Sequence, residues 1–96
     1  NVYPKEVESL IDDIPGVVES AVIGLAHPDL GEGVTAIVVP QKGADLDEGA
    51  VISAITDKLA RYKQPKRVLF VDELPRNVMG KVQKAELRKS YADLYR

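Results

Sequence analysis

Two neighbouring β-branched runs limit what this chain can become. "VVESAVIGLAHPDLGEG" (17–33) has Val22, Ile23 and Leu25 as its apolar heart and breaks at His27-Pro28 and a glycine-rich turn; "GVTAIVVP" (33–40) follows at once. Val- and Ile-rich runs bounded by Gly and Pro read as strands, and the limits at Gly33 and Pro40 suit a hairpin-like return. Their nearly continuous apolar character predicts that at least one strand is covered on both faces. A two-stranded hairpin is marginal in water, so other elements must pack on it.

The flanking segments supply them. In "YPKEVESLIDDIPG" a proline stands in the first turn, Val7, Leu10, Ile11 and Ile14 recur at helical spacing, and Pro15-Gly16 ends the pattern. After the polar loop "QKGADLDEG", residues 51–62 place Val51, Ile52, Ile55, Leu59 and Tyr62 on one helical face, with Asp47 or Glu48 near the start, where the helix dipole favours negative charge. "KRVLFVDELP" supplies a third strand over Val68 to Val71. In "VQKAELRKSYADLYR", Leu87, Tyr91, Leu94 and Tyr95 fall on one helical face and Lys84 and Arg88 on another. The predicted fold is α+β, a small three-stranded sheet packed with helices in the order α-β-β-α-β-loop-α, with one helical layer burying the apolar sheet face.

At 96 residues, 45% hydrophobic and 29% charged, the sequence has material for one globular domain with a modest core. The absence of cysteine excludes disulfides and thiolate zinc sites and is compatible with a reduced cytoplasm. No apolar run approaches the roughly 20 residues of a membrane span, and the first residues lack the order of a signal peptide, so a soluble domain is expected. The net charge of −2 hides a polarity: residues 1–48 hold two basic residues against ten acidic ones, and residues 49–96 hold eleven against five. An anionic ligand is therefore expected near the C-terminal half, with solvated basic faces as the alternative.

The chemistry-bearing stretch is "LPRNVMGKVQK" (74–84). Pro75 fixes one dihedral, Gly80 permits positive φ and close approach of a ligand, and Arg76 and Lys81 bring two cations into one turn. Val78 and Met79 cannot titrate and serve as packing or spacer, so any chemistry comes from charge and hydrogen bonding. This is not a phosphate-cradling P-loop: Pro75 stands where the first glycine would be, and residue 82 is Val rather than Ser or Thr. By spacing alone Lys81 reads as an exposed loop lysine without a role. His27, alone before Pro28, reads as a turn or packing residue. No His/Asp/Glu cluster points to a metal.

The order of "VYPKEVE", "VVESAVIGLAHPDLGE", "LARYKQPKRVLFVDELPR" and "MGKVQKAELR" resembles the C-terminal domain of the adenylate-forming enzymes, which include acyl-CoA synthetases, luciferases and peptide-synthetase adenylation domains. "LPRNVMGKVQK" is most similar to malonyl-CoA synthetases and their short-chain relatives. The resemblance implies that residues 1–96 are a single mobile lid whose own N-terminal domain, holding ATP (with Mg²⁺) and the carboxylic acid, lies outside this sequence together with the hinge. It implies that Lys81 is the catalytic lysine that enters the active site when carboxylate and ATP form acyl-adenylate and pyrophosphate. The lid then rotates so that CoA can attack the adenylate. "RYKQPK" resembles the stretch near the CoA nucleotide, making Lys63 and Gln64 candidate contacts to it. Arg76 is either a further nucleotide contact or a brace for the Lys81 loop.

A second class of function follows from the same lysine: as an exposed loop residue, Lys81 could be the target of a protein lysine acetyltransferase, and acylation would erase its charge. A free-standing nucleic-acid-binding module is disfavoured by the negative net charge and by only five aromatic residues, without a stacking pattern. The acyl substrate is expected to be selected outside this sequence.

Overall fold

The computed structural model describes residues 2–96, and its elements follow the expected order. They are α1 (Pro4–Asp12), β1 (Val17–His27), β2 (Gly31–Pro40), α2 (Glu48–Ile55), 3-10 turns at Thr56–Lys58 and Arg61–Lys63, β3 (Arg67–Phe70), the loop, and α3 (Lys84–Ser90). β1 and β2 form the antiparallel hairpin, paired from Val17↔Pro40 to His27↔Gly31. β3 joins the free edge of β2 in parallel, from Thr35↔Arg67 to Val38↔Phe70. Parallel pairing demands a long crossover, and the segment carrying α2 provides it. β2 is thereby the central strand, which explains why Gly33 to Val39 is buried without interruption.

One expectation needs correction: the helices form two layers. On one face, Val22, Val34, Ala36, Val38 and Val68 pack against Val7 and Ile11 of α1 and Val51 and Ile55 of α2. On the other, Ala21, Ile23, Leu25, Ile37 and Val39 pack against Leu74 and Leu87. Both sets alternate along the same strands, so each face is apolar and each must be covered.

The edges are also managed. Val22 on β1 donates its N–H to Glu8 of α1 (2.8 Å), and Val68 on β3 donates to Glu48 of α2 (2.8 Å). A carboxylate from each helix thus occupies a strand-edge donor that could otherwise pair with another chain. The Val68 N–H, followed by the Arg67 guanidinium, holds the Glu48 carboxyl below its ordinary range.

Residues 51–62 do not form one continuous helix. Asp47 caps α2 as expected, accepting from Ala50 N–H at 2.7 Å, but α2 stops at Ile55. The Thr56 hydroxyl donates back to the Ile52 carbonyl (2.6 Å), an alternative partner of the kind that loosens a helix. Leu59 then adopts extended geometry and turns its side chain into the core. Tyr62 is left 63% exposed rather than on the buried face.

At the C-terminus, α3 ends at Ser90, and Tyr91, Leu94 and Tyr95 reach the core through turns. Gly33 makes room for the last of these, since a β-carbon there would lie 2.9 Å from the Tyr95 ring. The Tyr95 hydroxyl meets fully buried Thr35 at 2.7 Å, and burial pushes its pKa up. Among the described residues no helix is long and apolar enough to cross a membrane.

Candidate functional site

The loop between β3 and α3 is a small hairpin built on a fixed base. Val71 extends the sheet by donating to the Val38 carbonyl (3.0 Å), and Leu74 is buried, so the chain leaves the sheet at a defined point. Gln83 N–H returns to the Pro75 carbonyl (2.8 Å), and Arg76 and Val82 face each other across an antiparallel bridge.

Asn77 shapes the tip. Its carbonyl accepts from Gly80 N–H at 2.9 Å, closing a four-residue turn, while its side-chain oxygen accepts from Met79 N–H (2.9 Å) and Lys81 N–H (3.0 Å). Asn opening a turn and Gly three residues later is a pairing that turn geometry favours. Gly80 has φ +83°, a conformation that costs an L-residue strain. Val78 and Met79 are 103% and 85% exposed: of the two roles considered for them, they serve as spacer and do not pack within this domain.

Lys81 follows this tip and is exposed. Among the described residues its ammonium has no carboxylate partner, and that sets it apart from its neighbours. Arg76 donates through Nη1 to the Gly80 carbonyl (2.6 Å) and through Nη2 to Glu19 on β1. Lys84, just beyond the loop, pairs with Glu8 at 2.7 Å. Arg76 and Lys81 are therefore brought into one loop, as expected, with Arg76 in the bracing geometry.

Lys63 and Gln64 lie elsewhere, at the end of the second 3-10 turn. Lys63 Nζ bonds Glu6 at 2.9 Å and stands 4.6 Å from the centre of the Tyr3 ring and 5.7 Å from that of Tyr62. The Glu6 hydrogen bond raises its pKa, and the aromatic faces favour the same charged form. Gln64 donates its side-chain amide to the carbonyls of Thr56 (3.0 Å) and Leu59 (3.1 Å). Beside them, Leu30, Glu32, Val34, Arg61, Tyr62 and Lys66 line an open cleft, and Arg61 and Lys66 have no ion-pair partner among the described residues.

His27 is a turn residue: its Nδ1 accepts from Asp29 and Leu30 N–H groups at 3.1 and 3.2 Å. Among the described residues no group of three His, Asp or Glu side chains could hold a metal ion. The sequence reading passed over Glu8, Glu19 and Asn77. Only Asn77 carried a local signal, its spacing to Gly80; the two glutamates meet their partners from the far end of the chain.

The "AMP-binding enzyme C-terminal domain" family matches residues 6–81. The chain belongs to this family. It is 46% identical to indoleacetate–CoA ligase of Aromatoleum aromaticum over 92 residues, which is 96% of this chain and 18% of that protein. The structure of ATP-bound MatB from Rhodopseudomonas palustris superimposes over the whole chain with a TM-score of 0.98 at 61% identity and has 19% of its length covered. A Mycobacterium tuberculosis fatty acyl CoA synthetase aligns with 98% of the chain at a TM-score of 0.90 and 45% identity, with 18% of its own length covered. The chain thus spans under a fifth of these relatives, and the family match includes Lys81 at its last position.

Proposed function

We propose that this chain is the mobile C-terminal domain of an AMP-forming acyl-CoA synthetase and that Lys81 is its adenylation lysine. The observation that carries the reading is the bare Lys81 ammonium on a shaped, exposed tip, in a domain where four other cations of the same half are held by acids of residues 1–48. Relatives named as CoA ligases, and a relative solved with ATP bound, support the reaction class.

The chemistry needs such a group. A carboxylate oxygen must approach the α-phosphorus of ATP, form the acyl-adenylate bond and release pyrophosphate, although both partners are anionic. An ammonium between them orients both and offsets charge as it redistributes. Lysine serves as a compact point charge on a reaching stem, whereas arginine's planar fork has different donor geometry. In the second half-reaction the CoA thiol attacks the adenylate carbonyl and AMP leaves, without need of the same ammonium.

The segment Arg61–Lys66 is the proposed CoA side of the domain. Arg61 and Lys66 offer uncommitted charge for phosphates, while Lys63 and Gln64 would contact CoA only by exchanging the internal partners they hold here. The proposed acid is small, of the malonate class, on the likeness of residues 74–84, and its pocket lies in the N-terminal domain with ATP and Mg²⁺. The exposure of Lys81 also suits a lysine acetyltransferase, for which acylation would switch adenylation off.

The test is Lys81→Ala in the intact protein. Pyrophosphate exchange should fall by about 10²-fold or more, while thioester formation from supplied acyl-adenylate is largely spared. Adenylation at the parental rate, or equal losses in both half-reactions, would defeat the assignment.

A further inference from the structure

Glu19 stands 62 residues before Lys81 and on another element, yet it touches Arg76, which grips the tip from the base of the loop. Arg76 is a fork with one arm on the Gly80 carbonyl, directly preceding Lys81, and the other on Glu19. Pairing with a carboxylate fixes the plane of the guanidinium and so aims the arm that holds Gly80.

β1 is built to present this acid. Val17 pairs with Pro40, but Glu19 pairs with the adjacent Val39, so the strand carries one extra residue between them. The irregularity leaves Val18 57% exposed and reverses the side-chain parity of the strand. Val17 consequently joins Val22 in the core beneath α1 and α2, although regular alternation would put it on the opposite face from Val22. Glu19 stays in phase with Ala21, on the face that carries Leu74 and the loop. Without the extra residue, either Val17 or Glu19 would point the wrong way.

On these grounds we infer that Glu19 is a positioning residue for adenylation, holding the Lys81 tip in register through Arg76. Glu8 reinforces it from the other side of the loop: the carboxylate oxygen that accepts from Val22 N–H also binds Lys84, so both ends of the loop are tied to β1. The inference rests on the proposed role of Lys81. A partly exposed ion pair adds little to folding, so its loss should appear in the chemistry of the loop more than in stability.

The experiment uses the intact protein with Glu19→Ala, Glu19→Gln and, as a reference, Lys81→Ala, following pyrophosphate exchange, thioester formation from supplied acyl-adenylate, and thermal midpoint. Misplacing a catalytic group by about 1 Å can cost up to about 10²-fold, and the expected loss in kcat for adenylation in Glu19→Ala is about tenfold. KM for ATP and the thioester step should stay within about twofold of the parent, the pattern of an interaction used in the transition state. Glu19→Gln keeps an oxygen that accepts from Arg76 and should recover most of the rate. Should Glu19→Ala fail to fold, Arg76→Lys, with one donor head in place of a fork, should show the same split. Parental adenylation in Glu19→Ala while Lys81→Ala loses it overturns the role of Glu19 alone, as do equal losses in the two half-reactions. Parental adenylation in Lys81→Ala removes the functional reading beneath it.

Discussion

Gly80→Ala separates the shape of the tip from the presence of the lysine. Gly80 has φ +83°, and a β-carbon built on it meets no heavy atom within 4 Å, so the substitution introduces backbone strain and no collision. Left-handed geometry costs an L-residue about 1–2 kcal/mol, a factor of about 5–30 in any equilibrium that can relieve it. The tip can relieve it, because it is exposed and held by hydrogen bonds alone: Gly80 N–H on the Asn77 carbonyl, Arg76 on the Gly80 carbonyl, the Asn77 side chain on two N–H groups, and the Asn77 N–H and Gln83 amide on the Lys81 carbonyl. Under the proposed function, adenylation by the intact protein should therefore fall about 5–30-fold with Lys81 still present. Gly43→Ala is a matched control, with φ +81° and equally open space, in the loop before α2. It carries the same strain, should cost about 1–2 kcal/mol or less in urea denaturation, and should leave adenylation unchanged. Equal adenylation losses in the two variants, or a parental rate in Gly80→Ala, would refute the claim that tip geometry places the lysine.

Two further outcomes concern the frame. Because Glu48 titrates below the ordinary carboxylate range in the folded chain, it adds stability above that range, lost as pH falls through its folded pKa; with the pair partly exposed and screened by solvent, Glu48→Gln should cost about 0.5 kcal/mol or less at neutral pH, a difference that shrinks as pH falls, measured by urea denaturation at each pH. Tyr95→Phe removes the hydroxyl on Thr35 and should lower the melting temperature by about 4–8 °C, from a loss of about 1 kcal/mol; since burial raises the Tyr95 pKa, the parent's advantage is full at neutral pH and should shrink as pH climbs through the folded value.

Where local pattern decides structure, the sequence was a sufficient guide. Val7 and Ile11 on α1, the hairpin between Val17 and Pro40, and the turn punctuated by Pro75 and Gly80 each carry their reason within a few neighbours. The failures are where distant residues compete. The spacing of Val51 to Tyr62 was helical, but the Gln64 amide takes the Thr56 and Leu59 carbonyls that a longer helix would have used, and the Thr56 hydroxyl shares the Ile52 carbonyl with its own N–H. The apolar strands announced that something covered both faces of at least one of them, without saying that α3 and the C-terminal turns cover one face and α1 and α2 the other. At the proposed site, the placement of Lys81 and Arg76 in one loop was legible from a short motif, whereas that of Glu19 depends on an irregularity in β1 that no periodicity reveals.

The charge polarity of the chain also acquires a different meaning. Read along the sequence, a basic C-terminal half suggested a field focused on an anionic ligand. In the fold, Glu6, Glu8, Glu19 and Glu48 each hold one basic residue of that half, and all four pairs are partly exposed. Each such pair is worth about 0–1 kcal/mol, too little to be the main support of a core. Their effect on selectivity is larger, because a cation already facing a carboxylate must exchange that partner to bind an anion elsewhere. Lys81 in the loop has no such exchange to make, nor, among the described residues, do Arg61 and Lys66 at the cleft. Under the proposed function the acidic half sharpens the basic half: it restrains Arg76 and Lys84 on either side of the tip and leaves the ammonium between them free for a negatively charged ligand.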